Sequence, residues 1–182
     1  MSKIEVQTID APSGQNTVTI GDSNASTITL KSGATLTNFP ANTPMFSVYG
    51  NGTTVGNNSY TKIVFENEVY DTDTAFASNK FTVPSGKAGY YFFNLVITPD
   101  NGVTFTDWRV RLYKNGSSGG MANGFFNFIS DTKSASGDFP TVTGSCVVNL
   151  AEGDYIEVYG FHNSGSNRTF NWPFFQGHRL IG

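Results

Sequence analysis

The chain has 182 residues and a mass of 19.7 kDa, enough for one domain with a short appendage or a single larger β domain. Only 14% of its residues are charged, against roughly 25% in an ordinary soluble domain, while 14% are aromatic and twenty are glycine, which suits sheets and turns rather than helices. The net charge of −3 argues against a nucleic-acid partner held by phosphate contacts, and the single Cys146 excludes an intrachain disulfide and a cysteine-cluster metal site. No apolar stretch is long enough to span a bilayer, and Lys3 is followed by an alternating segment rather than the apolar core of a signal peptide.

Residues 1–40 form the first unit. It contains no aromatic before Phe39 and alternates apolar with small polar residues: Ile4, Val6; Val18, Ile20; Ile28, Leu30; Leu36. This is the period of a strand with one buried face. Thr17-Val18-Thr19-Ile20 and Thr27-Ile28-Thr29-Leu30 repeat the pattern ten residues apart, with Gly21-Asp22-Ser23-Asn24 between them as a turn. So little apolar mass cannot build its own core. The segment is either a tail with β propensity or a stem whose stripes meet between identical chains, and the stem is the expectation carried forward.

Residues 41–182 hold the aromatics. Strand-like runs recur at Met45–Tyr49, Lys62–Phe65, Lys80–Val83, Gly89–Thr98, Trp108–Lys114, Phe125–Ile129, Gly144–Leu150, Asp154–Phe161 and Phe174–Ile181, separated by turns such as Asn115-Gly116. No window sustains a helical period. Short strands at this spacing predict an all-β, two-sheet jelly roll. In Tyr90-Tyr91-Phe92-Phe93 neighbouring rings point to opposite faces, so one pair fills the core and the other makes a second apolar surface. A strand buried on both faces within one subunit is the competing reading.

Catalytic patterns are weak. Gly116-Ser117-Ser118-Gly119-Gly120 matches G-x-S-x-G, but no helical period follows it, as a nucleophile elbow requires. His162 and His178 have no metal-ligand spacing, and the paired acids Asp71/Asp73, Glu66/Glu68 and Glu152/Asp154 lack a calcium-loop pattern. No enzyme activity and no cofactor are expected. The aromatics near turns or strand ends, Phe105, Trp108, Tyr159, Phe161 and Trp172, have Asn163, Asn167, Arg168 and Asn171 close by in sequence. Aromatic faces with Arg and Asn suit a sugar, so Trp108, Tyr159, Arg168 and Trp172 are the ligand-binding candidates.

From Phe65 the spacing becomes specific: Phe65, Asp71, Phe76, Phe81 with Val83-Pro84, then Gly89, Tyr91 and Phe93. Val110-Arg111-Leu112-Tyr113-Lys114-Asn115-Gly116, Leu150 with Gly153-Asp154, and Phe175-Gln176-Gly177 follow in order. Together these resemble the globular head of complement subcomponent q, a jelly roll of the tumour-necrosis-factor superfold. The resemblance implies a homotrimer with the Gly-x-Tyr-x-Phe strand and the closing strand near the threefold axis, making Tyr91, Phe93, Phe175 and Leu180 the interface candidates. The first forty residues resemble the opening of short fibre and appendage proteins of marine bacterial viruses. That resemblance implies a non-enzymatic virion component, such as a fibre, tail appendage or capsid decoration. It would attach to other particle proteins through residues 1–40, with the head projecting and the option of binding a host glycan or receptor.

Overall fold

The computed structural model describes residues 42–100, 107–118 and 141–180, together with the backbone of 127–130. The N-terminal repeats, Phe105 and the second half of the Gly116–Gly120 motif lie outside the described residues.

Among the described residues twelve strands form two antiparallel sheets: β1 (Met45–Tyr49), β2 (Gly52–Val55), β3 (Thr61–Lys62), β4 (Asn67–Asp71), β5 (Phe76–Ala77), β6 (Lys80–Thr82), β7 (Gly89–Pro99), β8 (Trp108–Lys114), β9 (Asn127–Ser130), β10 (Val142–Leu150), β11 (Tyr155–His162) and β12 (Arg168–Arg179). The first sheet runs β10-β7-β12-β1-β4, with β2 also on β12; the second runs β5-β6-β11-β8-β9, with β3 on β11. The described chain is a β-sandwich whose one helical element is a single 3-10 turn, Thr72–Thr74.

The core is a mixture of aliphatic side chains and a cluster of stacked aromatic rings. On the first sheet Phe46 stands opposite Gly177, and Gly177 stands opposite Phe93, so the three occupy one row across β1, β12 and β7. A Cβ on Gly177 would lie 2.5 Å from Phe93 Cδ1 and 2.9 Å from Phe46 Cε1. The missing side chain is therefore the space into which both rings lean. Phe46 then stacks on Phe76 and Phe81 of the second sheet at 5.2 and 5.0 Å and meets Phe175 edge-on at 5.0 Å. Offset and edge contacts of this kind add to what burial alone contributes. Gly160 plays the same part on β11, where a Cβ would meet Phe170 at 2.8 Å.

Short polar fixtures hold the connections. The Asp71 carboxylate accepts hydrogen bonds from the backbone N–H groups of Ala75 and Phe76 at 2.9 and 2.8 Å, closing the turn that delivers Phe76 to the core. Asn115 and Gly116 both have positive φ, 52° and 75°, and Lys114 and Ser117 exchange backbone hydrogen bonds across them. This is the two-residue turn that Asn-Gly favours, so the G-x-S-x-G match opens in a hairpin tip rather than at a strand-to-helix elbow.

Three strands go beyond the nine expected ones. The β2 and β4 segments carry Thr, Asn and Glu, β5 is only the pair Phe76-Ala77, and the three are ordered by pairing with β12, β1 and β6. The closing strand also begins at Arg168, six residues before the expected Phe174, because a register shift between Asn171 and Phe174 lets it pass through Trp172-Pro173.

Gly177→Ala should destabilise the fold by about 1–3 kcal/mol through overpacking, and Phe46→Ala by about 3–5 kcal/mol through cavity formation. Urea unfolding followed by tryptophan fluorescence measures both; an unchanged midpoint for Gly177→Ala would contradict the ring-over-glycine packing.

Candidate functional site

The alternation of β7 decides which aromatic pair is available to a partner. Tyr91 and Phe93 face inward and are fully enclosed, as is Phe175 on β12. The Tyr91 hydroxyl donates to the Lys87 carbonyl at 2.6 Å, and burial pushes its pKa up to about 12. These three are core residues of one chain, which corrects their placement on an intersubunit surface. The reason is parity: Gly177 must face the core to admit Phe93, so the whole odd-numbered set of β7 faces in with it. Leu180, 36% exposed, remains on the outer face.

That outer face is built from successive cross-strand rows. Met45, His178, Phe92 and Val147 make one; Ser47, Gln176, Asn94 and Ser145 the next; Tyr49, Phe174, Val96 and Thr143 a third. Tyr90, 58% exposed, and Leu180 extend it. The middle row is an amide ladder, with Gln176 Nε2 3.5 Å from Asn94 Oδ1 and Asn94 Nδ2 donating to the Gly144 carbonyl at 3.3 Å. None of these positions is Asp, Glu, Lys or Arg. Depletion of charge with enrichment of aromatic side chains is the composition of an interface core.

The outer face of the second sheet differs. Register places Tyr113 opposite Glu157, Arg111 opposite Tyr159 and Arg109 opposite Phe161. Tyr113 stacks on Tyr159 at 4.1 Å, and Tyr60 lies 4.8 Å from Phe161 and 6.2 Å from Tyr113. The Arg111 guanidinium sits 4.5 Å over Tyr60, and Lys80 Nζ 4.6 Å over Tyr155. Arg109 is held by both oxygens of Asp107 at 2.7 and 2.6 Å, and Lys62 pairs with Glu157 at 2.8 Å. Burial raises the Tyr159 pKa, with the nearby Glu157 carboxylate acting in the same direction, so the phenol is neutral at physiological pH.

The four ligand candidates from the sequence do not share a surface. Trp108 is enclosed in the core, edge-on to Phe170 at 5.9 Å, which removes it from any ligand and corrects that assignment. Tyr159 belongs to the outer cluster of the second sheet. Arg168 lies at the start of β12, its Nε donating to Ser164 Oγ at 3.1 Å. Trp172 is 59% exposed with a φ of 47°, at the bulge of the first sheet. Sequence reasoning passed over Tyr60, Tyr113 and Arg111, although the alternation of Arg109, Arg111 and Tyr113 along β8 was the signal that could have found them.

The histidines are separated as well. His162 is fully buried on the second sheet, its Nε2 2.9 Å from the Val55 carbonyl, whereas His178 faces outward beside Phe92 at 5.4 Å. Cys146 packs against the core, and burial pushes its thiol up to about 12, so it is no nucleophile at neutral pH.

The Lys114-Asn115 turn and the Gly153-Asp154 turn meet. Asn115 Nδ2 donates to Asp154 Oδ1 at 2.7 Å, Asn115 Oδ1 accepts from the Tyr155 N–H at 2.9 Å, and Lys114 Nζ lies 2.6 Å from Asp154 Oδ2. Burial acts to raise the Asp154 pKa, but the hydrogen bonds from Lys114, Asn115 and Ala151, with the Lys114 charge, hold it below the ordinary 3.8.

The chain matches no protein-family model and no curated protein sequence. Solved structures do share its fold. The globular domain of the zebrafish complement 1qA protein aligns with a TM-score of 0.56 at 19% identity over 76% of this chain and 98% of that one. Murine APRIL aligns with a TM-score of 0.53 at 16% identity over 75% and 98%, and PRD1 vertex protein P5 with 0.52 at 15% over 78% and 100%. The described chain is a sandwich of the complement-head and tumour-necrosis-factor kind, which establishes architecture and leaves function to the surfaces.

Because the folded-state pKa of Asp154 is depressed, its contribution is present above the unfolded value and is lost as pH falls through the folded one. Asp154→Asn should cost about 0.5–1.5 kcal/mol at pH 7 and flatten the fall in stability below about pH 4. Urea midpoints of both proteins between pH 2 and pH 7 test this, and parallel curves would refute it.

Proposed function

We propose that this protein is a non-enzymatic structural component of a bacterial virus particle, a short fibre, tail appendage or capsid decoration. In this reading residues 1–40 attach it to other particle proteins, and the head assembles as a homotrimer and projects outward. The observation that carries the reading is the uncharged outer face of the first sheet, with Tyr90, Phe92, Val96, Val147, Phe174 and Leu180 toward solvent in a single chain. An apolar surface of that extent on a soluble protein calls for a partner, and a second and third copy of the same chain supply the same surface. The number three is taken from the complement-head resemblance. The fold shared with a phage vertex protein supports the particle setting, as does the resemblance of residues 1–40 to appendage proteins.

The interface is thus reassigned from Tyr91, Phe93 and Phe175 to the alternate set, with Leu180 common to both. Residues such as Met45, His178 and Gln176 become buried only on assembly.

Light scattering coupled to size exclusion tests this on the full chain. The expected mass is about 59 kDa, three times the protomer. Val147→Asp, at a position 50% exposed in one chain, should give a folded species at the protomer mass of 19.7 kDa with unchanged far-ultraviolet dichroism. A wild-type protein that runs as a monomer, or a Val147→Asp variant that still trimerises, rejects this face as the interface.

A further inference from the structure

We propose that the outer face of the second sheet is a binding surface for carboxylated polysaccharide, a chain of uronic acid residues. The inference does not rest on trimerisation, since every group involved belongs to one chain. The surface is a continuous aromatic patch, Tyr159–Tyr113–Tyr60–Phe161, in which each ring lies within 4.1–6.2 Å of the next. Four of its side chains, counting Tyr155, end in phenolic hydroxyls. Such groups give stacking area and hydrogen bonds at low entropic cost, because a tyrosine has few torsions to fix.

Charge complementarity selects the occupant. The chain as a whole carries −3, yet this face presents Lys62, Lys80, Arg109 and Arg111 against Glu157 and Asp107. The two carboxylates are taken up by Lys62 and Arg109. Among the described residues Arg111 and Lys80 meet no carboxylate; each lies over a tyrosine ring instead. Arg111 also has an enclosed Nε with no hydrogen-bond partner among the described residues. A guanidinium lying over the Tyr60 ring can offer its two terminal nitrogens to a planar carboxylate while the neighbouring rings take the sugar face. A neutral glycan would leave both cations unanswered, and an acidic peptide would leave the stacking surface unused. A uronate chain answers both.

Arg111 and Lys80 stand on different strands, β8 and β6, with β11 between them. A polymer lying across β11 can therefore meet a cation on either side of the central tyrosines, which is why the repeat unit should itself be acidic rather than terminate in one acid.

The test uses the full chain and soluble, monovalent probes so that valence plays no part: an alginate tetrasaccharide, maltotetraose and a tetraglutamate peptide, followed by calorimetry and by proton-shift perturbation of the tyrosine rings. The expected result is saturable binding of the alginate probe alone. Arg111→Gln with Lys80→Gln should weaken that binding by about tenfold or more, and Tyr159→Ser should weaken it comparably, with thermal midpoints showing that each variant folds. Absence of binding to alginate overturns the proposal, as does binding unaffected by the paired substitution. Equal binding of tetraglutamate overturns the sugar assignment in favour of an acidic protein partner, and equal binding of maltotetraose overturns the role given to charge.

Discussion

The row Phe46–Gly177–Phe93 is the constraint on which the rest of this head depends. Two phenylalanines flank a position with no side chain, and their rings occupy the volume that any Cβ would need. That interlock forces β1, β12 and β7 to present one particular parity to the core. Because side chains alternate, a slip of one residue would exchange every inward group for an outward one. Phe76, Phe81 and Phe175 then pack around Phe46, tying the second sheet to the first through rings, with aliphatic side chains such as Leu95, Ile97, Leu112 and Ile156 filling the rest of the core. The exterior is a consequence of the same row: once Phe93 is inside, Phe92 is outside, and with it His178, Met45 and Val147.

This explains what was legible beforehand and what was not. The jelly-roll class was readable because its strands are short, alternating and separated by Gly, Asn and Asp. The two-sidedness of Tyr90-Tyr91-Phe92-Phe93 was equally plain. Which pair goes inside is not a property of β7 at all; it is set by Gly177, more than eighty residues away in sequence, and by the volume of Phe46. Trp108 was misplaced for a similar reason. A tryptophan beginning a strand reads as a rim residue until Phe170 arrives from β12 to cover it. Strands β2 and β4 were invisible because Thr, Asn and Glu make strands only when a neighbour offers its backbone, and β5 because two residues, Phe76-Ala77, show no alternation.

The turns show the opposite case, local signals whose meaning is long-range. Asn115-Gly116 declares a hairpin tip, and Gly153-Asp154 a turn that carries the chain from β10 of the first sheet to β11 of the second. Their junction, with Asn115 acting as both donor and acceptor and Lys114 closing on Asp154, makes the two turns one unit that fixes β8 against β11. The same register, continued along the β8–β11 ladder, sets Arg109, Arg111 and Tyr113 outward against Phe161, Tyr159 and Glu157, so polar contacts anchor one edge of the aromatic-cationic surface.

A chain with so few charges must also decide where to keep them. The first sheet's outer rows carry none, while the second sheet's outer face carries Lys62, Lys80, Arg109, Arg111 and Glu157. The proposed association through the uncharged face would remove apolar surface from water and leave the ionic face exposed. In that proposed assembly the ionic faces stay apart in solvent, which a closed ring allows and face-to-face stacking would not. Core parity and the make-up of the outer face therefore have one origin: the absence of a side chain at Gly177 decides which rings turn inward, and with them which residues of β1, β12 and β7 are left on the uncharged outer rows.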